Sequence, residues 1–409
     1  MRCGLIGERL GHSHSKTLHG LLADYRYDLI ELAPEELGAF LQKGEFDGLN
    51  VTIPYKQAVI PYLRELSPTA RAIGSVNTIV RRPDGTLLGD NTDAWGLGVI
   101  AGRAGMAFAG ERTLILGSGG TAKTARHVVE AAGGEAVTVS RTGETNYENL
   151  ERHADAAWLI NATPVGMYPR AQAAPVDLAR LPGLRGVAEV IYNPLRTRLM
   201  QQARALGIPC EGGLAMLVYQ AVRACERFTA RPVPPERAAQ AERALRRAVT
   251  GLALVGMPGA GKSTVGALAA AHLGMPFVDL DREIEKAAGM PIPRIFEAEG
   301  EAGFRRRETE ALRRFALAGG QVMAAGGGVV KSAENRELLR MNCVVVHIRR
   351  ALEKLPTEGR PLSAGGVERL WRERAGLYAA AADAQVENGG AAEACAREVE
   401  EAYHEAVCD

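Results

Sequence analysis

Short apolar runs that end in glycine-rich turns set the rhythm of this chain. Thr113-Leu114-Ile115-Leu116 runs straight into Gly117-Ser118-Gly119-Gly120, and a helical period follows, with Ala125, Val128, Val129 and Ala132 on one face. A second short run, Ala136–Val139, comes next. The pattern predicts a strand–loop–helix–strand unit with glycines at its first turn. It recurs at Leu252-Ala253-Leu254-Val255, which predicts a strand before Gly256-Met257-Pro258-Gly259-Ala260-Gly261-Lys262-Ser263-Thr264 and a helix over 263–273. Residues 1–95 instead alternate short apolar runs with Gly, Pro and Asn. Between them, Pro232, Pro234 and Pro235 precede an Ala/Arg/Glu-rich helical stretch. Prolines so close together fit neither a helix interior nor a central strand. Residues 229–249 therefore read as a linker, with the helical part a semi-rigid spacer.

At 409 residues the chain has room for two or three domains. It is 46% hydrophobic and 24% charged, with 49 basic and 48 acidic residues and a net charge of +1. That balance suggests neither a nucleic-acid surface nor a membrane-binding face. Six scattered cysteines with no Cys-x-x-Cys pair argue against a disulfide framework or a zinc site and fit a reducing compartment. No run approaches the roughly 20 apolar residues of a membrane helix, and the first residues lack the apolar core of a signal peptide. The expectation is a soluble cytoplasmic protein.

The two loops differ in specificity. Gly256 to Ser263 is a complete Gly-x-x-x-x-Gly-Lys-Ser phosphate loop. Its N–H groups cradle phosphates, Lys262 reaches the outer phosphates and Ser263 ligates Mg²⁺. Gly117, Gly119 and Gly120 form only Gly-x-Gly-Gly, a spacing that a tight turn in another α/β protein would also show. Ser140-Arg141-Thr142 at the end of the following strand sharpens the reading. A carboxylate there would accept from ribose hydroxyls, whereas a cation between two hydroxyls suits a ribose phosphate, favouring NADP over NAD.

The flanking motifs carry a resemblance. His12-Ser13-His14-Ser15, Asn50-Val51-Thr52-Ile53-Pro54-Tyr55-Lys56, Val76-Asn77-Thr78, Asp90-Asn91-Thr92-Asp93, Asn161 to Met167, Tyr192-Asn193-Pro194 and Met216 to Gln220 resemble shikimate dehydrogenase in order and spacing. The match covers about residues 1–228. It implies a catalytic pair, Lys56 and Asp93, and a substrate pocket of Ser13, Ser15, Asn50, Thr52, Asn77, Tyr192 and Gln220. It also implies cofactor contacts at Met167 and Gly213 besides the glycine loop. Lys16, Ser140, Glu189 and Ala215 depart from the usual Pro, Asn, Asp and Gly.

Behind the phosphate loop, Asp279 and Asp281 read as two carboxylates on one side of a strand end. Gly300 to Glu308 puts cations on a helix start, and Ala325 to Gly328 makes a backbone-rich turn. With Gly359-Arg360-Pro361-Leu362 and Arg374-Ala375-Gly376-Leu377-Tyr378, residues 250–409 resemble shikimate kinase. That resemblance implies Mg²⁺ at Ser263 and Asp279, Asp281 orienting the attacking hydroxyl, and Arg305 and Arg374 clamping the substrate carboxylate. It gives Gly327 a backbone contact to substrate, sets Glu308 to orient Arg305, and places Arg360 on a closing lid. Gly376 stands where Pro is usual, which would loosen a helix start beside Arg374.

The implied architecture is α/β throughout: a two-lobed dehydrogenase fused to a P-loop α/β kinase domain. The lobes are an α/β substrate lobe over 1–95, with 213–228 returning to it, and a Rossmann-like NADP lobe over 96–212. The kinase domain spans 250–409. NADP(H), ATP and Mg²⁺ are the expected cofactors, and the small molecules 3-dehydroshikimate and shikimate the expected partners.

Overall fold

The computed structural model describes residues 1–11, 13–355 and 366–408. The chain divides into two compact units, Met1–Tyr192 with Thr197–Ala244, and Asn193–Arg196 with Leu245–Asp409. The described residues form three sheets, two in the first unit and one in the second.

The first sheet uses β1 (Arg2–Gly7), β2 (Arg26–Glu31), β3 (Gly48–Val51), β4 (Glu65–Leu66), β5 (Thr78–Arg81) and β6 (Leu87–Asp90), in the order β2-β1-β3-β5-β6-β4. β1 pairs parallel with β2 and β3, while β5 runs antiparallel to β3 and β6. The helix Gly213–Thr229 returns to this sheet. Its Ala224 and Phe228 join Cys3, Leu5 and Tyr27 in one buried cluster.

The second sheet uses β7 (Arg112–Leu116), β8 (Glu135–Val139), β9 (Trp158–Asn161), β10 (Gly186–Glu189) and β11 (Cys210–Glu211), ordered β11-β10-β9-β7-β8 and parallel throughout. Leu114, Ile115 and Leu116 are fully buried because helices cover both faces of a parallel sheet. The helix predicted after the first glycine loop spans Gly120–Ala131. Ala125 and Val129 are buried and Val128 half-buried, but Ala132 caps the helix and is exposed.

The third sheet, in the second unit, uses β12 (Gly251–Val255), β13 (Phe277–Asp279), β14 (Val322–Ala324), β15 (Cys343–Arg349) and β16 (Ala384–Glu387), ordered β13-β14-β12-β15-β16 and again parallel. In both parallel sheets the strand that feeds a glycine loop, β7 or β12, has later strands on either side. This is the point where strand order reverses and a crevice opens beyond the carboxyl ends.

The stretch 229–249 is not a free spacer. Thr229 ends one helix and Pro235–Val249 forms another, with proline at its first turn, where a missing N–H costs nothing. Ala238, Ala241 and Leu245 lie on one face and are buried. Glu242 holds Arg103 through two bonds of 2.7 and 2.8 Å, and Arg237 donates to the Leu21 carbonyl at 3.1 Å. The boundary between the units falls inside this helix, after Ala244. The apolar stripe, spaced i, i+3, i+7, gives the helix a face to bury, so it is packed rather than a semi-rigid spacer.

Candidate functional sites

In the first unit, a turn after β3 carries Lys56 and the helix Asp93–Arg103 begins at Asp93. The Lys56 ammonium donates to Asp93 Oδ2 at 2.6 Å, with both side chains partly accessible. An acid at a helix's first turn is favoured by the backbone N–H groups there. The two residues, 37 apart in sequence, thus form a partly accessible contact ion pair.

The polar residues around the pair are tightly networked. Asn50 is buried, accepting from Tyr27 Oη at 2.8 Å and donating to Thr78 Oγ1 at 3.3 Å. Asn77 Oδ1 accepts from Thr92 N at 2.7 Å and Thr78 Oγ1 at 3.0 Å. Its oxygen is therefore committed to the fold. Thr52 is half-buried at the same strand end. Ser13 Oγ accepts from Ser15 N at 3.2 Å, which starts the helix Ser15–Leu22. The His14 and Tyr192 rings meet edge-on at 6.1 Å, placing Tyr192 beside the serine loop. Gln220 donates to the Leu217 carbonyl of its own helix at 2.8 Å. Lys16 is exposed.

The glycine loop leaves β7. A Cβ added to Gly119 or Gly120 would meet nothing within 4 Å, so open space lies beside both, at the start of the helix Gly120–Ala131. Ser140, Arg141 and Thr142 follow β8, with Arg141 and Thr142 exposed. Met167 is 44% exposed on the turn after β9, its N–H donating to the Pro164 carbonyl at 3.1 Å. Gly213 answers to packing. A Cβ there would stand 2.1 Å from the Val190 carbonyl oxygen, so only glycine lets this helix start against the end of β10.

In the second unit a cavity of about 620 Å³ gathers Gly259, Gly261, Lys262, Ser263, Thr264, Asp279, Asp281, Arg305, Glu308, Gly327 and Arg374. The helix Lys262–Leu273 points its first turn at it. Lys262 is buried and donates to the carbonyls of Gly256 and Met257 at 2.9 and 3.0 Å. Ser263 Oγ donates to Asp279 Oδ2 at 2.6 Å. Asp279 also caps the helix Leu280–Ala288, accepting from Arg282 N at 3.3 Å. Asp281 therefore lies in that helix's first turn. The expectation of two carboxylates on one strand end is corrected to one at the strand end and one on the helix that follows.

Gly300 has φ 68° and breaks the long helix Ile292–Ala318, so a new helical run starts at Glu301. Arg305 on that run donates to Glu308 Oε2 at 2.8 Å and to Glu301 Oε1 at 3.3 Å. Burial raises the Glu308 carboxyl above the ordinary range, opposed by Arg305. Burial likewise raises Asp281, opposed by Lys262. Arg374 is 2% exposed; it donates to the Gly327 carbonyl at 3.0 Å, and its Nε has no partner among the described residues. A buried donor left over in a cavity is suited to an anionic ligand. Gly376 lies inside the helix Val367–Ala381 rather than at its start, correcting the expected loosening beside Arg374. Arg360 lies outside the described residues.

Two contributors carried no signal in the sequence: Asn388 Nδ2 donates to the Ala260 carbonyl at 2.8 Å, and Arg350 donates to the Gly259 carbonyl at 3.3 Å. Both reach loop backbone from distant positions, so no local spacing marks them. Tyr378, the last residue of the Arg374–Tyr378 motif, donates to the Gly327 carbonyl.

Residues 5–79 match the family model of the shikimate dehydrogenase substrate binding domain, and residues 258–404 match that of shikimate kinase. A shikimate dehydrogenase (NADP(+)) of Geobacillus kaustophilus is 36% identical over 256 residues, covering 55% of this chain and 91% of the relative. Two solved structures are similar. One is a chorismate mutase/shikimate 5-dehydrogenase fusion from Clostridium acetobutylicum, with TM-score 0.57, 32% identity, and 60% and 96% of the two chains covered. The other is the Thermus thermophilus shikimate 5-dehydrogenase in complex with NADP(H) and shikimate, with TM-score 0.54, 28% identity, and 60% and 99% covered. With the Lys56–Asp93 pair in one unit and the phosphate-loop cavity in the other, the chain belongs to the shikimate dehydrogenase family and carries a shikimate kinase domain behind it.

Proposed function

We propose that the first unit reduces 3-dehydroshikimate to shikimate with NADPH, and that the second phosphorylates shikimate with MgATP at the hydroxyl just formed, giving shikimate 3-phosphate. The observation that carries this reading is the Lys56–Asp93 contact in a chain that also holds a complete phosphate-loop cavity. The cofactors are NADP(H), ATP and Mg²⁺. The residues present fit them. Open space beside Gly119 and Gly120 at a helix start suits a pyrophosphate. The paired oxygens of Ser263 and Asp279 suit a hard cation that keeps much of its water. When bound, NADPH supplies the hydride and ATP the phosphoryl group.

The protein's own groups do the rest. Lys56 gives a proton to the ketone oxygen as carbon gains the hydride, and Asp93 holds the ammonium in place and buffers the proton. Ser13, Ser15, Asn50, Thr52, Asn77, Tyr192 and Gln220 supply the neutral hydrogen-bonding surface that a polyhydroxylated ring requires. Arg141, between Ser140 and Thr142, meets the ribose phosphate. In the kinase, Arg305 and Arg374 hold the substrate carboxylate, Gly327 lines its ring, and Asp281 accepts from the attacking hydroxyl. Lys262 turns from its loop carbonyls to the phosphates, and Arg360 supplies a further positive charge for the transferring phosphoryl group. The domain bounds 1–95 with 213–228, 96–212 and 250–409 are our division, as is a cytoplasmic location; among the described residues no helix is long and apolar enough to cross a membrane.

Product analysis by mass spectrometry tests the whole reading. Protein given 3-dehydroshikimate, NADPH and MgATP is expected to yield shikimate 3-phosphate, and shikimate alone when ATP is withheld. Unphosphorylated shikimate despite ATP would overturn the kinase half; no NADPH-dependent product would overturn the dehydrogenase half.

A further inference from the structure

The end of β10 hides a carboxylate that the chemistry above leaves unused. Glu189 is fully buried, and no cation lies beside it among the described residues. Its contacts are all donors. Asn161 Nδ2 reaches Oε1 at 3.0 Å and Oε2 at 2.9 Å, Ile191 N reaches Oε1 at 3.1 Å, and Thr197 Oγ1 reaches Oε2 at 3.0 Å. Asn161 continues the chain of bonds, its Oδ1 accepting from Thr163 N at 3.1 Å and Thr163 Oγ1 at 2.8 Å. Thr163 Oγ1 in turn accepts from Val165 N at 3.2 Å. These bonds link the loop that presents Met167 to the segment that follows β10.

We propose that Glu189 is a positioning residue of the dehydrogenase. Its ionised carboxylate ties the 161–167 loop to Ile191 and Thr197 and so holds the Met167 side of the NADPH site in shape. This rests on the cofactor reading given above. A proton on Glu189 turns the Thr197 hydroxyl from donor to acceptor and replaces the charge-assisted bonds from Asn161 and Ile191 with weaker neutral ones, so the tether loosens. Burial raises this carboxyl from the ordinary 4.5 to about 7, against the lowering effect of Asn161, Ile191 and Thr197. Cys210, on the neighbouring β11, is the titratable side chain that feels it. Burial first, then Glu189 and Glu211, push that thiol up to about 12, so it stays neutral near pH 7.

The sign follows from these directions. NADPH binding is tight above about pH 7 and weakens as pH falls through it. The contribution to folding runs the other way. The folded protein holds this proton more strongly than the unfolded chain, so stability declines as pH rises from about 4.5 through 7. A loss of binding at lower pH is therefore not a loss of this group's contribution to the fold.

NADPH fluorescence titrations between pH 5.5 and 9, without substrate, test the proposal on the full-length protein. The wild type is expected to show a step in dissociation constant near pH 7. Glu189→Gln is expected to bind about tenfold more weakly at pH 8 and to lose the step, and Glu189→Asp, which keeps the carboxylate, to restore it. Wild-type affinity with an intact step in Glu189→Gln overturns the proposal. If that variant does not fold, a wild-type titration without a step overturns it equally, as does a protein that binds no NADPH at any pH. A step in binding with no reduction of 3-dehydroshikimate would sink the proposed activity and leave the tether standing.

Discussion

The two glycine loops begin alike and use their glycines differently. Both leave a buried parallel strand at the point where strand order reverses, and both open a helix. Beside Gly119 there is open space, so the missing side chain leaves room for a ligand. Gly261 has φ 96°, and a Cβ there would stand 2.4 Å from Asn388 Nδ2, so the missing side chain is required by the loop itself. The phosphate loop is a shaped object before any nucleotide arrives. The dinucleotide loop is closer to a vacated surface. At these two glycines the contrast is between a backbone conformation that admits few residues and room kept at a helix start; Gly117 of the dinucleotide loop, at φ 108°, shares the first constraint.

The largest effects should divide the two units. Lys56→Ala is expected to lower NADPH oxidation by roughly 100- to 10,000-fold, the usual weight of a general acid, and leave shikimate phosphorylation largely intact. Lys262→Ala should do the converse by roughly a thousandfold. Parallel steady-state assays on each variant check both, and loss of both activities in either would show that the units depend on each other.

The loop comparison is tested by alanine at the two glycines. Gly261→Ala should destabilise the second unit by about 1–3 kcal/mol through backbone strain alone, with Asn388 adding to it. Gly119→Ala should leave unfolding unchanged within about 0.5 kcal/mol and weaken NADPH binding instead. Thermal unfolding and nucleotide titration separate the two; equal melting losses would break the contrast.

Arg141→Ala probes cofactor choice. Removing one charge-assisted contact should weaken NADP by about 10- to 100-fold, from roughly 1.5–3 kcal/mol, while NAD binding hardly changes. Unchanged NADP affinity would overturn the phosphate clamp. The smallest effect is expected at Gly376, exposed inside its helix with nothing near a new Cβ. Gly376→Ala should raise stability by about 0.5–1 kcal/mol, seen as a higher denaturation midpoint.

Much of the site was legible because its motifs are local. A strand, a glycine loop and a helix start are written in consecutive residues, as are the turn carrying Lys56 and the helix-start Asp93. The misreadings share a cause. The spacing puts Asp281 on a strand end and Gly376 at a helix start, yet the first belongs to a helix capped by Asp279 and the second lies mid-helix. Element boundaries depend on capping and packing that a single window of sequence does not contain. The prolines at 232, 234 and 235 mark residues 229–249 as a linker, whereas the buried stripe of the helix Pro235–Val249 and the Glu242–Arg103 pair hold it against the fold.

The sequence by itself determined which chemistries this chain carries and the order in which they occur, because phosphate loops and acid–base motifs need particular residues at fixed short spacings. Tertiary structure decided which of those residues meet. Lys56 faces Asp93 across 37 positions, Arg374 reaches Gly327 across 47, and Glu189 gathers donors from Asn161 and Thr197. Such contacts arise where loops converge at the carboxyl ends of parallel strands, and that convergence is set by strand order and burial rather than by any neighbouring residue.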